Sequence, residues 1–384
     1  MLAFMIHTTN ELKRLCERLH KQKFITVDTE FIREKTFYPR LCLIQVGSEK
    51  GAWAIDALAK DLDLTSFFDL LLDKNVIKVF HACRQDIEIF YHLMHEMPRP
   101  VFDTQIGAMV CGYPENIGYQ RLVEDYLGIK LDKGMRVTDW SYRPLTKEQQ
   151  EYALHDVIEL AKVYTKMMED ICKNNRLDWI QEEIQALLDP LLYEPDASRL
   201  MAKMRLPFTN PEKIHLCARL CEWREEWAKK MNLPRQFIMS DNSLIECAAV
   251  KAVKEEDFKH LRSLSKGFLE NEIGLSLREF CRHVAKEKVK EWPVKQHSLL
   301  SPNKKSQFEA LRLLLNIVCE EANVAPYLVA TSEELTQYLI KPENVRFMGG
   351  WRSQIFGKKV KDLMAGKIAF FYDPHKQSLV VRSI

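Results

Sequence analysis

No stretch of this chain approaches the roughly 18 consecutive apolar residues of a membrane-spanning helix. The opening segment MLAFMIHTTNELKRL has neither the basic start nor the long apolar run of a secretory leader. Ten cysteines are present but scattered singly, and the nearest pair, Cys217 and Cys221, has no second pair to complete a zinc site. Reduced thiols, a cytoplasmic location and no membrane partner are therefore expected. Glycine (13) and proline (15) are too few among 384 residues for a fibrous or low-complexity chain. At that length two or three domains are expected, each able to bury a core, since 46% of residues are hydrophobic.

The net charge of +2 hides an asymmetry. Residues 1–208 hold 27 Lys+Arg against 32 Asp+Glu, whereas residues 209–384 hold 29 against 22. An acidic half suits cations and a basic half suits phosphates, although solvated surfaces often differ by as much.

The first half alternates strand and helix patterns. KFITVDTEF, RLCLIQVG, GAWAIDA, NVIKVF and PVFD read as strands. LTSFFDLLLD, RQDIEIFYHLMHE, TQIGAMV and the long LTKEQQEYALHDVIELAKVYTKMMEDI read as helices, with Asp103 and Thr104 available as caps. From Pro207 onward apolar residues recur every three or four positions, so the second half is expected to be helical. EWPVKQHSLLSPNKKS divides it in two. The pieces form a loose repeat, NLPRQFIMSDNSLIECA against NVAPYLVATSEELTQYL. The ending IAFFYDP…SLVVRSI fits either a hairpin or an extended tail.

Asp28 and Glu30 lie two apart in a strand pattern, so both carboxylates leave the same face. Hard oxygen ligands without a Cys or His cluster favour Mg²⁺ or Mn²⁺ over zinc. Asp86 falls on the first turn of a helix after a strand, and Tyr152 and Asp156 share a helix face at i,i+4. Each of these spacings is common on its own.

Together VDTEF, the Asp of HACRQD and EYALHDV resemble, in order, the three motifs of DEDD-type 3′→5′ exonucleases of the tyrosine subtype. FYPRLCLIQVG, FDTQIGA and DWSYRPLTKEQQEYALHDV look like the ribonuclease D family within that group. The resemblance covers about residues 20–170. It implies a ribonuclease-H-like α/β domain with Asp28, Glu30, Asp86 and Asp156 holding two divalent ions, and Tyr152 as the subtype residue. By the same resemblance Asp28 would bridge the ions, Glu30 and Asp156 would complete one site, and Asp86 would serve the other through water. The implied partner is RNA with a free 3′ end, tRNA precursors above all.

Phe31 is a candidate to stack on the terminal base or to fill the core. Lys133, Arg136 and Arg143 are candidate phosphate contacts or plain solvated cations. His81 and Gln45 are candidates to line the cleft, with satisfied structural roles favoured, and His155 is expected to be structural.

CARLCEWREEWAKKMNLPRQFIMSDNSLIECA resembles the HRDC domain, a small helical module, and the segment ending in GGWRSQIFG is a diverged likeness. The domains expected are 1–175 exonuclease, 209–290 HRDC-like, and 300–384 a second, all-α HRDC-like module. A DNA exonuclease, and a binding protein on a decayed exonuclease fold, stay open as alternatives.

Overall fold

The strand patterns build one six-stranded sheet, in the order β1-β4-β3-β2-β5-β6. The computed structural model describes residues 4–131, 138–259, 261–265, 267–293, 300–343 and 345–384. Its first domain runs β1 (Phe4–Ile6), α1 (Thr9–Leu19), β2 (Phe24–Ile32), β3 (Arg40–Ser48), β4 (Gly51–Ile55), α2 (Thr65–Leu72), β5 (Ile77–Phe80), α3 (Arg84–Met94), β6 (Val101–Asp103), α4 (Thr104–Val110), α5 (Tyr119–Leu127) and α6 (Lys147–Lys173). β2, β3 and β4 form an antiparallel meander, while β5 joins β2 and β6 joins β5 in parallel. Ile25 and Val27 of β2 enter the main core with α1 and α3, whereas Thr26 on the other face meets α6. Such alternation follows from the two-residue period of a strand. α6 begins at a capping box in which Thr146 and Gln149 exchange hydrogen bonds, satisfying donors that a helix start leaves free.

Two short helices, α7 (Leu177–Leu187) and α8 (Ala197–Met201), lead into the helical half. Its first part comprises α9 (Pro211–Met231), α10 (Arg235–Ile238), α11 (Asp241–Val250), α12 (Glu255–Lys259) and α13 (Glu272–Val284). Its second part has α14 (Pro302–Ala322), α15 (Pro326–Val329), α16 (Ser332–Ile340), α17 (Gly350–Arg352) and α18 (Lys358–Met364), the last two joined by a π turn over Ser353–Gly357. A hairpin of β7 (Ile368–Asp373) and β8 (Ser378–Ser383) follows. That hairpin is one of the two outcomes the ending left open. The sequence reading passes over β1, which is three residues long, and the short helices α1 and α5.

The loose repeat has a physical counterpart. α9 and α14 each span 21 residues, start with proline in the first turn, and stop at an asparagine in the left-handed conformation. Asn232 and Asn323 both face the first domain: Asn232 Oδ1 accepts from the Phe37 and Tyr38 amides, and Asn323 Nδ2 donates to the Cys111 carbonyl, each at 3.1 Å.

Phe37, on the β2–β3 loop, is buried inside the core of the α9–α13 part. α14–α18 share the main core with the sheet. GGWRSQIFG supplies that joint, because Trp351 stacks on Trp179 of α7 at 4.2 Å. Fully buried Arg352 pairs with Glu182 and Glu183 and donates to the Leu328 carbonyl at 2.7 Å. An uncompensated buried charge costs about 3–5 kcal/mol, so this joint does not tolerate loss of both carboxylates.

A chain cut after residue 208 is therefore expected to expose Phe37 and the apolar surface of α4 and α7. It should bind a hydrophobic dye and melt well below the full chain, measured by fluorescence and calorimetry. Equal melting temperatures would show that the packing is dispensable.

Candidate active site

Thr26, Asp28 and Glu30 stand at alternate positions of β2, and β3 lies opposite with Gly47 facing Thr26 and Gln45 facing Asp28. α6 crosses this face very closely. A Cβ on Gly47 would lie 2.3 Å from Thr26 Oγ1 and 2.7 Å from the Val157 carbonyl oxygen, so the crossing requires glycine. Two successive α6 carbonyls are tied down there. Val157 O accepts from the Thr26 hydroxyl at 2.7 Å and Asp156 O accepts from the Tyr119 hydroxyl at 2.5 Å. These bonds fix the height and rotation of the turn carrying Asp156, and Tyr119 was not a sequence candidate.

Asp86 arrives from the other direction. It is buried on the first turn of α3 and accepts from the Thr29 hydroxyl. The turn before α3 contains Ala82 at φ 56°, a left-handed conformation that costs a non-glycine residue about 1–2 kcal/mol. Asp103 offsets this, since its carboxylate accepts from the Ala82 and Cys83 amides at 3.0 and 2.9 Å. It also caps α4 through the Gln105 amide at 2.7 Å. Sequence spacing identified only the cap.

The four acids converge. Burial raises the pKa of each, and negative neighbours add to the effect: Asp28 acts on Asp86 and Asp156, and Glu30, pushed up to about 9, feels Asp28, Asp156 and Asp86. No lysine or arginine is among the leading influences on any of them. Among the described residues no three acidic, His or Cys side chains form a closed ion nest. The acids are hard oxygen donors and fit Mg²⁺ or Mn²⁺, since bound cations would relieve the repulsion. The Tyr152 hydroxyl donates to Asp156 and lowers its pKa against the effect of burial. Burial and the nearby acids push the phenol itself upward, which keeps it protonated near neutral pH.

The remaining candidates separate. Arg143 is not free to hold phosphate: its guanidinium grips Asp56 at 2.7–3.0 Å and donates to the Trp140, Tyr142 and Cys42 carbonyls. Both phosphate binding and plain solvation are corrected by this fixed position. Lys133 and Arg136 lie outside the described residues. Phe31 is half-buried against the main core, just past an irregularity in the β2–β3 register. His81 is held between the Thr104 hydroxyl at 3.0 Å and the Ile117 carbonyl at 3.2 Å. Gln45 is different, because both polar atoms of its buried amide lack a partner. His155 is exposed.

Glu30 holds its proton in the folded chain up to about pH 9, but in the unfolded chain only to about pH 4.5. Without added metal, stability should accordingly fall as pH rises through that window. Melting curves in chelator should show this decline, and Glu30→Gln should remove much of it while raising the melting temperature at pH 8. An unchanged slope would mean that Glu30 lies outside the repelling set.

The chain is similar to known proteins along nearly its whole length. Residues 3–171 match the 3′-5′ exonuclease family and residues 215–287 the HRDC domain. Ribonuclease D of Bartonella henselae is 38% identical over 371 residues, covering 96% of this chain and 91% of that protein. Ribonuclease D of Zymomonas mobilis is 39% identical over 370 residues, with 95% of each covered. The crystal structure of Escherichia coli RNase D, an exoribonuclease involved in structured RNA processing, superposes with a TM-score of 0.79 at 28% identity, covering 95% of this chain and 99% of that one. Fold, acidic face and full-length likeness together place this chain in the ribonuclease D family of 3′→5′ exoribonucleases.

Proposed function

We propose that the chain shortens RNA from its free 3′ end one nucleotide at a time, with Asp28, Glu30, Asp86 and Asp156 holding two divalent ions, Mg²⁺ or Mn²⁺. The observation that carries this reading is the gathering of four buried or half-buried acids from β2, α3 and α6, with Asp28 raising the pKa of the other three and no basic side chain among their leading partners. The ions would supply charge to the attacking and leaving oxygens of an in-line displacement. The protein's contribution is positional. Thr29 orients Asp86, while Tyr119 and Thr26 hold the α6 turn that carries Asp156. Tyr152, protonated and bonded to Asp156, is a positioning donor rather than a base.

The basic helical half is suited to RNA phosphates, and precursor tRNA is the substrate that the family resemblance implies. Lys133, Arg136 and Phe31 remain candidate contacts. The matched 21-residue helices with their asparagine ends support two HRDC-like modules, about 209–290 and 300–384, after an exonuclease domain of about 1–175. Ten free thiols, eight of them buried, support a reducing cytoplasmic setting. No single helix among the described residues is long and apolar enough to cross a membrane.

Excess chelator should abolish activity, and Asp28→Asn should lower kcat by at least about 10²-fold with little loss of RNA binding. Circular RNA should resist while its linear counterpart is shortened. Single-turnover assays and gel shifts check these points, and equal cutting of circles would indicate an endonuclease.

Tyr152→Phe removes the hydroxyl yet keeps the ring that packs 6.2 Å from Trp140, so the fold should persist. Loss of one positioning contact should cost about 10²-fold in kcat with affinity nearly unchanged. Wild-type turnover in this variant would reduce Tyr152 to a packing residue.

A further inference from the structure

Gln45 is a buried polar residue that the reading above leaves without a role. It sits in the middle of β3, fully buried, between Asp28 on β2 and Ala54 on β4. Directly opposed residues of an antiparallel pair project from the same face with Cβ atoms about 4.5–5.5 Å apart, so the Gln45 amide belongs to the layer of the Asp28 carboxylate. Two residues along, Gly47 faces Thr26 and the Val157 carbonyl, which places α6 over the same face.

Both Oε1 and Nε2 of this buried amide lack a hydrogen-bond partner. Leaving buried polar groups unpaired is costly, and an apolar residue of the same shape would avoid that cost. The surroundings account for an amide over other polar groups. A lysine or arginine here would compete with a cation for Asp28, and another acid would add to the repulsion already raising Glu30 to about 9. A primary amide donates and accepts without charge.

We propose that Gln45 is a positioning residue of the ion site, its amide N–H holding the Asp28 carboxylate and its carbonyl oxygen accepting from an ion-bound water once a divalent cation is present. This rests on the metal-dependent reading given above. The amide then pays its desolvation in the metal-free chain and recovers it in the loaded one, so fold stability and metal affinity respond in opposite directions to its removal.

The test uses the full chain and Mn²⁺ alone, without RNA. Gln45→Met keeps the length and shape of the side chain and removes both polar atoms. In chelator it should melt at a temperature equal to or above wild type. It should bind Mn²⁺ about 10-fold more weakly by electron paramagnetic resonance titration, as loss of a partner behind a ligand typically does. The water-proton relaxation enhancement of the bound Mn²⁺ should also change. kcat should fall about as much, with KM unchanged. Gln45→Leu carries the same test if the Met variant fails to fold. Wild-type Mn²⁺ affinity and relaxation in the folded variant would overturn the proposal and leave Gln45 a buried structural amide. Asp28→Asn run alongside separates the two levels. If it abolishes Mn²⁺ binding while Gln45→Met does not, only this inference fails; if it too binds like wild type, the metal reading itself has failed.

Discussion

Mutual repulsion among Asp28, Glu30, Asp86 and Asp156 is the constraint around which the first domain is arranged. Four partly or wholly buried carboxylates would drift apart, or keep their protons, unless the backbone beneath them were held from several sides. β2 and β3 hold two of them through continuous pairing. A third depends on the Asp103 clamp on a left-handed alanine, and the fourth on two α6 carbonyls tied to Thr26 and Tyr119. Gly47 belongs to the same scheme, because any side chain there would lift α6 and Asp156 with it. The rigidity is local and hydrogen-bonded, as a cluster of like charges needs if its members are to stay near one another.

The helical half meets this domain through a device used twice. Each 21-residue helix ends on an asparagine whose left-handed backbone turns its amide toward the sheet domain. Asn232 thereby grips the loop following the strand that bears Asp28 and Glu30, and Phe37 from that loop enters the core of α9–α13. The same loop is tied to α3, since Arg33 pairs with Glu88 at 2.7 Å and lies near the Phe37 carbonyl. The helical half is thus part of the support of the acidic face as well as a source of positive charge.

Much was legible in the sequence because short-range pattern reports local geometry. Alternation in KFITVDTEF put Asp28 and Glu30 on one face, and i,i+4 spacing put Tyr152 above Asp156, where the structure has them. The hairpin at the end stayed open because a two-stranded piece carries little periodic signal. Arg143 was misread because an arginine flanking a motif looks the same whether it meets phosphate or a carboxylate 87 residues earlier.

By itself the sequence determined the order of strands β2 to β6, the candidacy of the four acids and the tyrosine, and the change from α/β to helical organisation at Pro207. Those depend on neighbours within a turn or along a strand. Only the tertiary structure decided that Tyr119 holds Asp156, that Thr26 reaches Val157 across 131 residues, that GGWRSQIFG is a joint around Trp179 and Glu182, and that the Gln45 amide is left unpaired. Hydrogen-bond partners distant along the chain leave no periodic mark. Which polar group meets which is settled when the apolar faces close, and burial makes every unmade bond costly.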